Sequence, residues 1–129
     1  MNDRFLFRGK TIDGVRPHFV IGHYVSVPRP MIVSDKPKIG GGWDFDDVDP
    51  ATVGQCTGLR DKSGTLIFEG DILSINNDIA EVEYYDDGYA LKFPNMEYIQ
   101  RRVLSIVPNY AYSIIGNIHE SPAQGVKNE

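Results

Sequence analysis

The sequence predicts a mainly β fold, an antiparallel body with an N-terminal β region and at most one short helix. Two observations carry most of that expectation. Apolar residues recur at every second position in Ala80-Val82-Tyr84 and again in Tyr89-Leu91-Phe93, the period of a half-buried strand. Residues that favour reversals, Asp61-Lys62-Ser63-Gly64, Glu69-Gly70, Asn76-Asn77-Asp78 and Asp86-Asp87-Gly88, interrupt this pattern at hairpin intervals. A third is composition: seven Tyr, six Phe and one Trp suit pleated surfaces better than a disordered chain.

The elements follow in order. Phe5 to Lys10 reads as a short strand, Asp13-Gly14 as a turn, and Val15 to Val27 as one or two further strands. Pro28 and Pro30 cannot donate to a ladder, so pairing pauses there before a brief strand at Met31 to Val33. Ser34 to Pro50 turns to Gly, Pro and Asp, the composition of a linker or loop. Val53 to Leu59 and Thr65 to Phe68 form a hairpin about the Asp61–Gly64 turn, in which glycine supplies the positive φ.

Strands at 72–75 and 79–85 follow. In the second, Ala80, Val82 and Tyr84 share one face and Glu81, Glu83 and Tyr85 the other. Tyr89, Leu91 and Phe93 continue beyond Asp86-Asp87-Gly88, with Lys92 opposite Glu81 or Glu83. Met96 to Ser105, with Met96, Ile99 and Val103 at helical spacing, is the one helical stretch. Tyr110 to Ile115 returns to β, Gly116-Asn117 breaks it, and the tail frays after Pro122. The organisation expected is an N-terminal β region with a Gly/Asp-rich loop over 1–50, a β domain over 51–122 and a tail over 123–129.

Composition narrows the function classes. Net charge is −5; residues 1–50 are balanced at seven basic and seven acidic, while 51–129 carry six and eleven. Such a chain is poorly suited to non-specific DNA binding, which rests on clustered Lys and Arg. Cys56 is the sole cysteine, which excludes a disulfide framework and favours a reducing compartment. Met1 to Lys10 has a run of only three apolar residues, Phe5-Leu6-Phe7, too short for a signal core or a membrane span. A cytoplasmic protein with no membrane association is expected.

Thr52-Val53-Gly54-Gln55, Thr57-Gly58-Leu59, Asp61-Lys62, Gly64, Glu69-Gly70-Asp71-Ile72 and the late Ile115-Gly116-Asn117-Ile118 with Pro122 form two blocks. Together they resemble the YopX family of phage and prophage proteins, and the Phe5–Lys10 opening is similar too. The resemblance implies a β-rich fold whose C-terminal part is a Src-homology-3-like small β-barrel, in a bacterial or phage-derived protein of unassigned role. It brings no catalytic site. The motif residues Gly54, Gly58, Asp61, Gly64, Glu69, Gly70, Asp71, Gly116 and Asn117 are expected to shape turns.

Other candidate sites compete with ordinary structural readings. Glu69 and Asp71 straddle Gly70 and in extended backbone point the same way, as a pair holding a cation would; capping backbone N–H groups at the turn is the favoured alternative. Asp44, Asp46, Asp47 and Asp49 lack the central Gly and terminal Glu of an EF-hand and read as a solvated acidic loop. Arg8-Gly9-Lys10-Thr11 lacks the upstream glycine of a phosphate loop, and Gly40-Gly41-Gly42 lacks a nucleotide-binding context. His18, His23 and His119-Glu120 match no catalytic pattern.

The candidate binding surface is Arg60, Lys62, Arg101 and Arg102, with Tyr98, Tyr110 and Tyr112 to stack on a single strand of nucleic acid, and with Trp43 as an anchor for a protein. The expectation is a non-enzymatic accessory protein that self-associates and binds a host or phage protein, without cofactor or metal. Single-stranded nucleic-acid binding is the alternative, and metal-assisted hydrolysis through Glu69, Asp71 and His119-Glu120 the lesser one.

Overall fold

The computed structural model describes residues 5–12, 16–34, 37–85, 88–93, 100–104 and 107–119. Among them all regular structure is antiparallel strand apart from short 3-10 turns, and there is no α-helix. The chain divides into two compact units, Met1–Cys56 and Thr57–Glu129. The Asp13-Gly14 turn, the Asp86-Asp87 connector and the tail from 120 lie outside the described residues.

The first unit contains β1 (Phe7–Thr11), β2 (Phe19–Val25), β3 (Met31–Val33) and the opening part of the long β4 (Phe45–Arg60). Strand β1 pairs with β2 and with β4, and β3 also pairs with both, so the four ladders lead back to their start. Leu6, Met31, Ile32, Val48 and Cys56 are buried. Strand β4 begins at Phe45, inside the stretch whose composition reads as loop: Asp46 and Asp47 lie opposite Ile32 and Met31 in the ladder. Pairing with β3 overrides the low strand propensity of aspartate. Pro50 falls where the β1–β4 register shifts, and the Thr52 hydroxyl there accepts from Lys10 N at 2.8 Å.

Two glycines in this unit answer to close approach. A Cβ on Gly22 would stand 2.1 Å from the Val33 carbonyl oxygen, and one on Gly9 would stand 3.0 Å from Val48 Cβ. Glycine alone fits at 22, because the obstacle is backbone.

In the second unit the end of β4 pairs with β5 (Leu66–Phe68). A separate sheet follows in the order β10-β6-β7-β8-β9, with β6 (Asp71–Ile75), β7 (Asp78–Tyr85), β8 (Gly88–Phe93), β9 (Gln100–Val103) and β10 (Tyr112–Asn117). Ile67, Leu73, Ile75, Ala80, Val82, Leu91, Phe93, Leu104 and Tyr112 form its core. Alternation does what the sequence pattern predicts: Leu73 and Ile75, then Ala80 and Val82, are buried while their neighbours are not. Tyr84 ends that face exposed, edge-on to Tyr89 at 5.4 Å between ring centroids. Register places Lys92 opposite Glu81, with Glu83 opposite Ala90.

The helix expected over 96–105 is corrected. Residues 100–103 are strand β9, with Gln100 opposite Phe93 and Val103 opposite Ala90; 96–99 and 105 lie outside the described residues. Three apolar residues at helical spacing are a weak signal in so short a window. A single helical turn gains one hydrogen bond for its ordering, whereas a strand against β8 gains a ladder.

The β6–β7 turn is Asn76-Asn77, with φ of 48° and 72°. Asparagine tolerates this left-handed region better than other residues with a Cβ, and two successive positive φ values give the twist that a tight hairpin needs. Asn77→Val is expected to lower stability by about 1 kcal/mol and Asn77→Gly to leave it unchanged or higher, read from urea unfolding midpoints.

Candidate functional site

The densest polar constellation lies in the second unit, where the first motif block meets β10. Asp61, 4% exposed, follows β4 and reaches three backbone donors: Oδ1 accepts from Ser63 N at 2.9 Å and Thr65 N at 3.0 Å, and Oδ2 accepts from Ile114 N at 3.0 Å. Burial disfavours the charged carboxylate, but hydrogen bonds from Ile114, Thr65, Ser63 and Gly64 outweigh it and hold the pKa below the usual value. Gly64 closes the turn with φ 86° and donates to Asp61 O at 2.9 Å. Lys62 N reaches Tyr112 O at 3.2 Å, a second tie to β10. Burial first, and the Asp61 charge second, raise the Tyr112 pKa.

The end of the first motif block meets the second, late block in the same way. Asp71 is 1% exposed and its Oδ2 accepts from Phe68 N at 2.8 Å. Gly70, at φ 96°, donates to Val82 O at 2.8 Å and accepts from Ile118 N at 2.9 Å, joining β7 to the end of β10. Asn117 Oδ1 accepts from His119 N at 2.9 Å, and this turn lays the His119 ring beside Gly70. Thus the two blocks, far apart in sequence, are cross-tied by carboxylates and glycines.

A model of the family described as YopX protein matches residues 30–124, well over half of the 129-residue chain. The chain belongs to the YopX family. The match covers both motif blocks and leaves the Phe5–Lys10 opening outside it. No curated protein matches the chain.

What the YopX motif places in space is architecture. Thr57 extends it: its hydroxyl donates to Ile67 O at 2.9 Å and accepts from Leu59 N at 3.1 Å, fastening β4 to β5. Glu69 is half-buried beside the Gly70 turn, and the Asp71 carboxylate faces a backbone donor. Among the described residues no three His, Cys, Asp or Glu side chains gather as metal ligands. The acidic run in the first unit is dispersed: Asp47 binds Arg29 Nε at 2.6 Å, Asp49 accepts from Ala51 N at 3.0 Å, and Asp44 stands 3.9 Å from Lys38 Nζ. Arg8 to Thr11 is strand, with the Arg8 guanidinium 4.8 Å from the centroid of the Phe19 ring.

The basic candidates separate. Arg60 is exposed and its Nη1 donates to Gly64 O at 2.7 Å; Lys62 is exposed in the same turn, beside β10. Arg101 and Arg102 occupy successive positions of β9, opposite Lys92 and Leu91, at the other end of the strand order. Tyr98 lies outside the described residues. Trp43 belongs to the first unit and is 46% exposed.

Sequence reasoning missed an open cavity of about 420 Å³ in the second unit, between the end of β4 and the approach to β10. Leu59, Val107, Pro108 and Tyr112 give it an apolar floor, with Arg60 and Asn109 at its polar side. Its lining comes from 58–60 and 107–112, which only the tertiary fold brings together. Pro108-Asn109 was the one local signal, as a turn dipeptide leading into the 3-10 turn Asn109–Ala111. Among the described residues no helix is long and apolar enough to cross a membrane.

Proposed function

We propose that this YopX-family protein is a non-enzymatic accessory protein of phage or prophage type, acting in the bacterial cytoplasm by self-association and by binding a protein partner. In this reading the second unit is a small Src-homology-3-like barrel. Support comes from the meander of β6 to β9 and from β10 returning to β6 directly after a 3-10 turn.

The observation that carries the functional reading is the connection between β3 and β4. Ser34 N donates to Asp44 O and Lys38 N to Gly42 O, and this hairpin displays Ile39 fully exposed, Trp43 at 46% and Phe45 at 59%. Three large exposed apolar side chains within seven residues of one hairpin are unusual for a surface that meets only water, and aromatic residues dominate the energetics of protein interfaces. The motif carboxylates, by contrast, are engaged with backbone N–H groups, an arrangement that orders turns and leaves little for acid–base work. Placement of Arg101 and Arg102 on successive strand positions also weakens the nucleic-acid alternative, which needs one continuous basic track.

Sedimentation equilibrium over a wide concentration range, with capture of partners from host lysate, tests the proposal. Concentration-dependent association and a specific captured protein are expected. A strict monomer that captures nothing would overturn it.

A further inference from the structure

We propose that the Asp49–Pro50 bond is a self-cleavage site: the Asp49 carboxylate attacks its own main-chain carbonyl, Pro50 leaves, and the chain divides into 1–49 and 50–129. The event goes beyond the accessory role above. It happens once per molecule, with the chain as its own substrate and no turnover.

Sequence supplies the reacting pair. Asp49-Pro50 is the one Asp-Pro step in the chain. An aspartate side chain closes a five-membered ring on its own carbonyl carbon, and carboxylates serve as protein nucleophiles. Proline is the matching leaving group. Its nitrogen carries two alkyl substituents, which makes it more basic as the C–N bond breaks, and it has no N–H to be tied into a ladder.

The fold arranges the pair. Asp49 Oδ1 accepts from Ala51 N at 3.0 Å, and the ring that this bond closes contains the Asp49–Pro50 bond itself. The carboxylate is thereby held alongside the carbonyl it attacks. On the other reacting atom, Asp49 O, the Thr52 hydroxyl donates at 2.6 Å. Thr52 is 8% exposed and its hydroxyl accepts from Lys10 N at 2.8 Å, so this donor is fixed before any reaction. A preorganised donor on the oxygen where negative charge develops stabilises a tetrahedral intermediate. Between the pairs Lys10–Asp49 and Arg8–Gly54 the ladder leaves 50–53 opposite Gly9 alone, so Pro50 departs without breaking a register pair. Asp49, Pro50 and Ala51 are exposed, and water reaches them.

The step balances with water as the only co-reactant. Asp49 Oδ2 bonds to the Asp49 carbonyl carbon, the bond from that carbon to Pro50 N breaks, and the nitrogen takes a proton from solvent. Water then opens the cyclic anhydride, leaving two carboxylates on Asp49 and a free amine on Pro50. Strand β1 spans the cut, with Thr11 and Lys10 opposite Val48 and Asp49 before it and Arg8 and Phe7 opposite Gly54 and Gln55 after it. The pieces therefore stay together in native buffer and separate on denaturation.

Intact-mass spectrometry of the full chain, incubated at one mildly acidic pH with and without urea, tests the proposal. Circular dichroism reports which samples are folded. The folded chain is expected to yield 1–49 and 50–129 about a hundredfold faster than the same chain in urea, the scale of one preorganised oxyanion donor. Asp49→Ala is expected to abolish the cut. Thr52→Val is expected to slow it to about the urea rate, and Thr52→Ser, which keeps the hydroxyl, to retain it.

A folded chain that stays intact, or that breaks at another bond, overturns the proposal. So does cleavage no faster folded than in urea, since that is only the ordinary lability of an Asp-Pro bond. A folded Thr52→Val that cleaves as fast as wild type overturns the role of the hydroxyl and with it the site. If Thr52→Val does not fold, the urea comparison and Thr52→Ser still decide, and a folded Thr52→Ser that has lost the cut counts against it.

Discussion

Gly22→Ala is expected to lower the stability of the first unit by about 3 kcal/mol, near the upper end of what overpacking costs. The added methyl carbon would stand 2.1 Å from the Val33 carbonyl oxygen and 2.9 Å from its carbon, far inside contact distance. That carbonyl has nowhere to go, since β3 is paired with β2 on one side and β4 on the other. A flexible side chain would swing away; a laddered backbone has to break hydrogen bonds to do so. Gly88→Ala is the control. Nothing lies within 4 Å of its Cβ position, and the change is expected to be neutral or slightly stabilising through the unfolded chain. Urea unfolding followed by far-ultraviolet circular dichroism measures both, and equal midpoints for the two variants would refute the close-approach account.

Asp61→Ala is expected to cost about 3 kcal/mol and to remove part of the acid sensitivity of the fold. The size follows from which donors lose their acceptor. Ser63 and Thr65 are exposed, so water replaces the carboxylate for them at modest cost, whereas Ile114 is half-buried and ties β10 to the turn across 53 positions of sequence. Charge-assisted acceptance by one carboxylate makes the three bonds stronger than neutral ones. Asp61→Asn keeps one oxygen acceptor and is expected to fall between wild type and alanine.

The pH dependence has a definite sign. The folded-state pKa of Asp61 lies below its unfolded value, so its stabilisation is complete above the unfolded value and is lost as pH falls through the folded one. Between pH 7 and the ordinary carboxylate range Asp61 contributes no slope, and below that range wild type is expected to lose stability faster than Asp61→Asn. Unfolding midpoints measured from neutral pH into acid check this, and parallel curves would contradict it.

These two positions mark what is legible in a linear sequence. Asp61 is legible because its role is local: an aspartate, two residues and a glycine compose a turn whose chemistry is the same wherever it occurs, and the same holds for Asn76-Asn77. Even so, the bond to Ile114 was not readable. Gly22 is silent in sequence, since the carbonyl that requires it belongs to another strand and nothing in Gly22-His23-Tyr24 announces that approach. Strand β9 misreads as helix because its partner, not its own periodicity, decides its state. The start of β4 misreads as loop for the same reason, with Asp46 and Asp47 recruited by β3. The cavity was beyond reach because its two lining segments, 58–60 and 107–112, lie about fifty residues apart.

Burial of Cys56 gives the molecule a built-in clock. It is the sole thiol of the chain, fully shielded from solvent, with its amide fixed to Leu6 O at 2.9 Å. A thiol reagent reaches that sulfur only when the packing around it opens, so the pace of alkylation under native conditions counts such openings without any label being introduced.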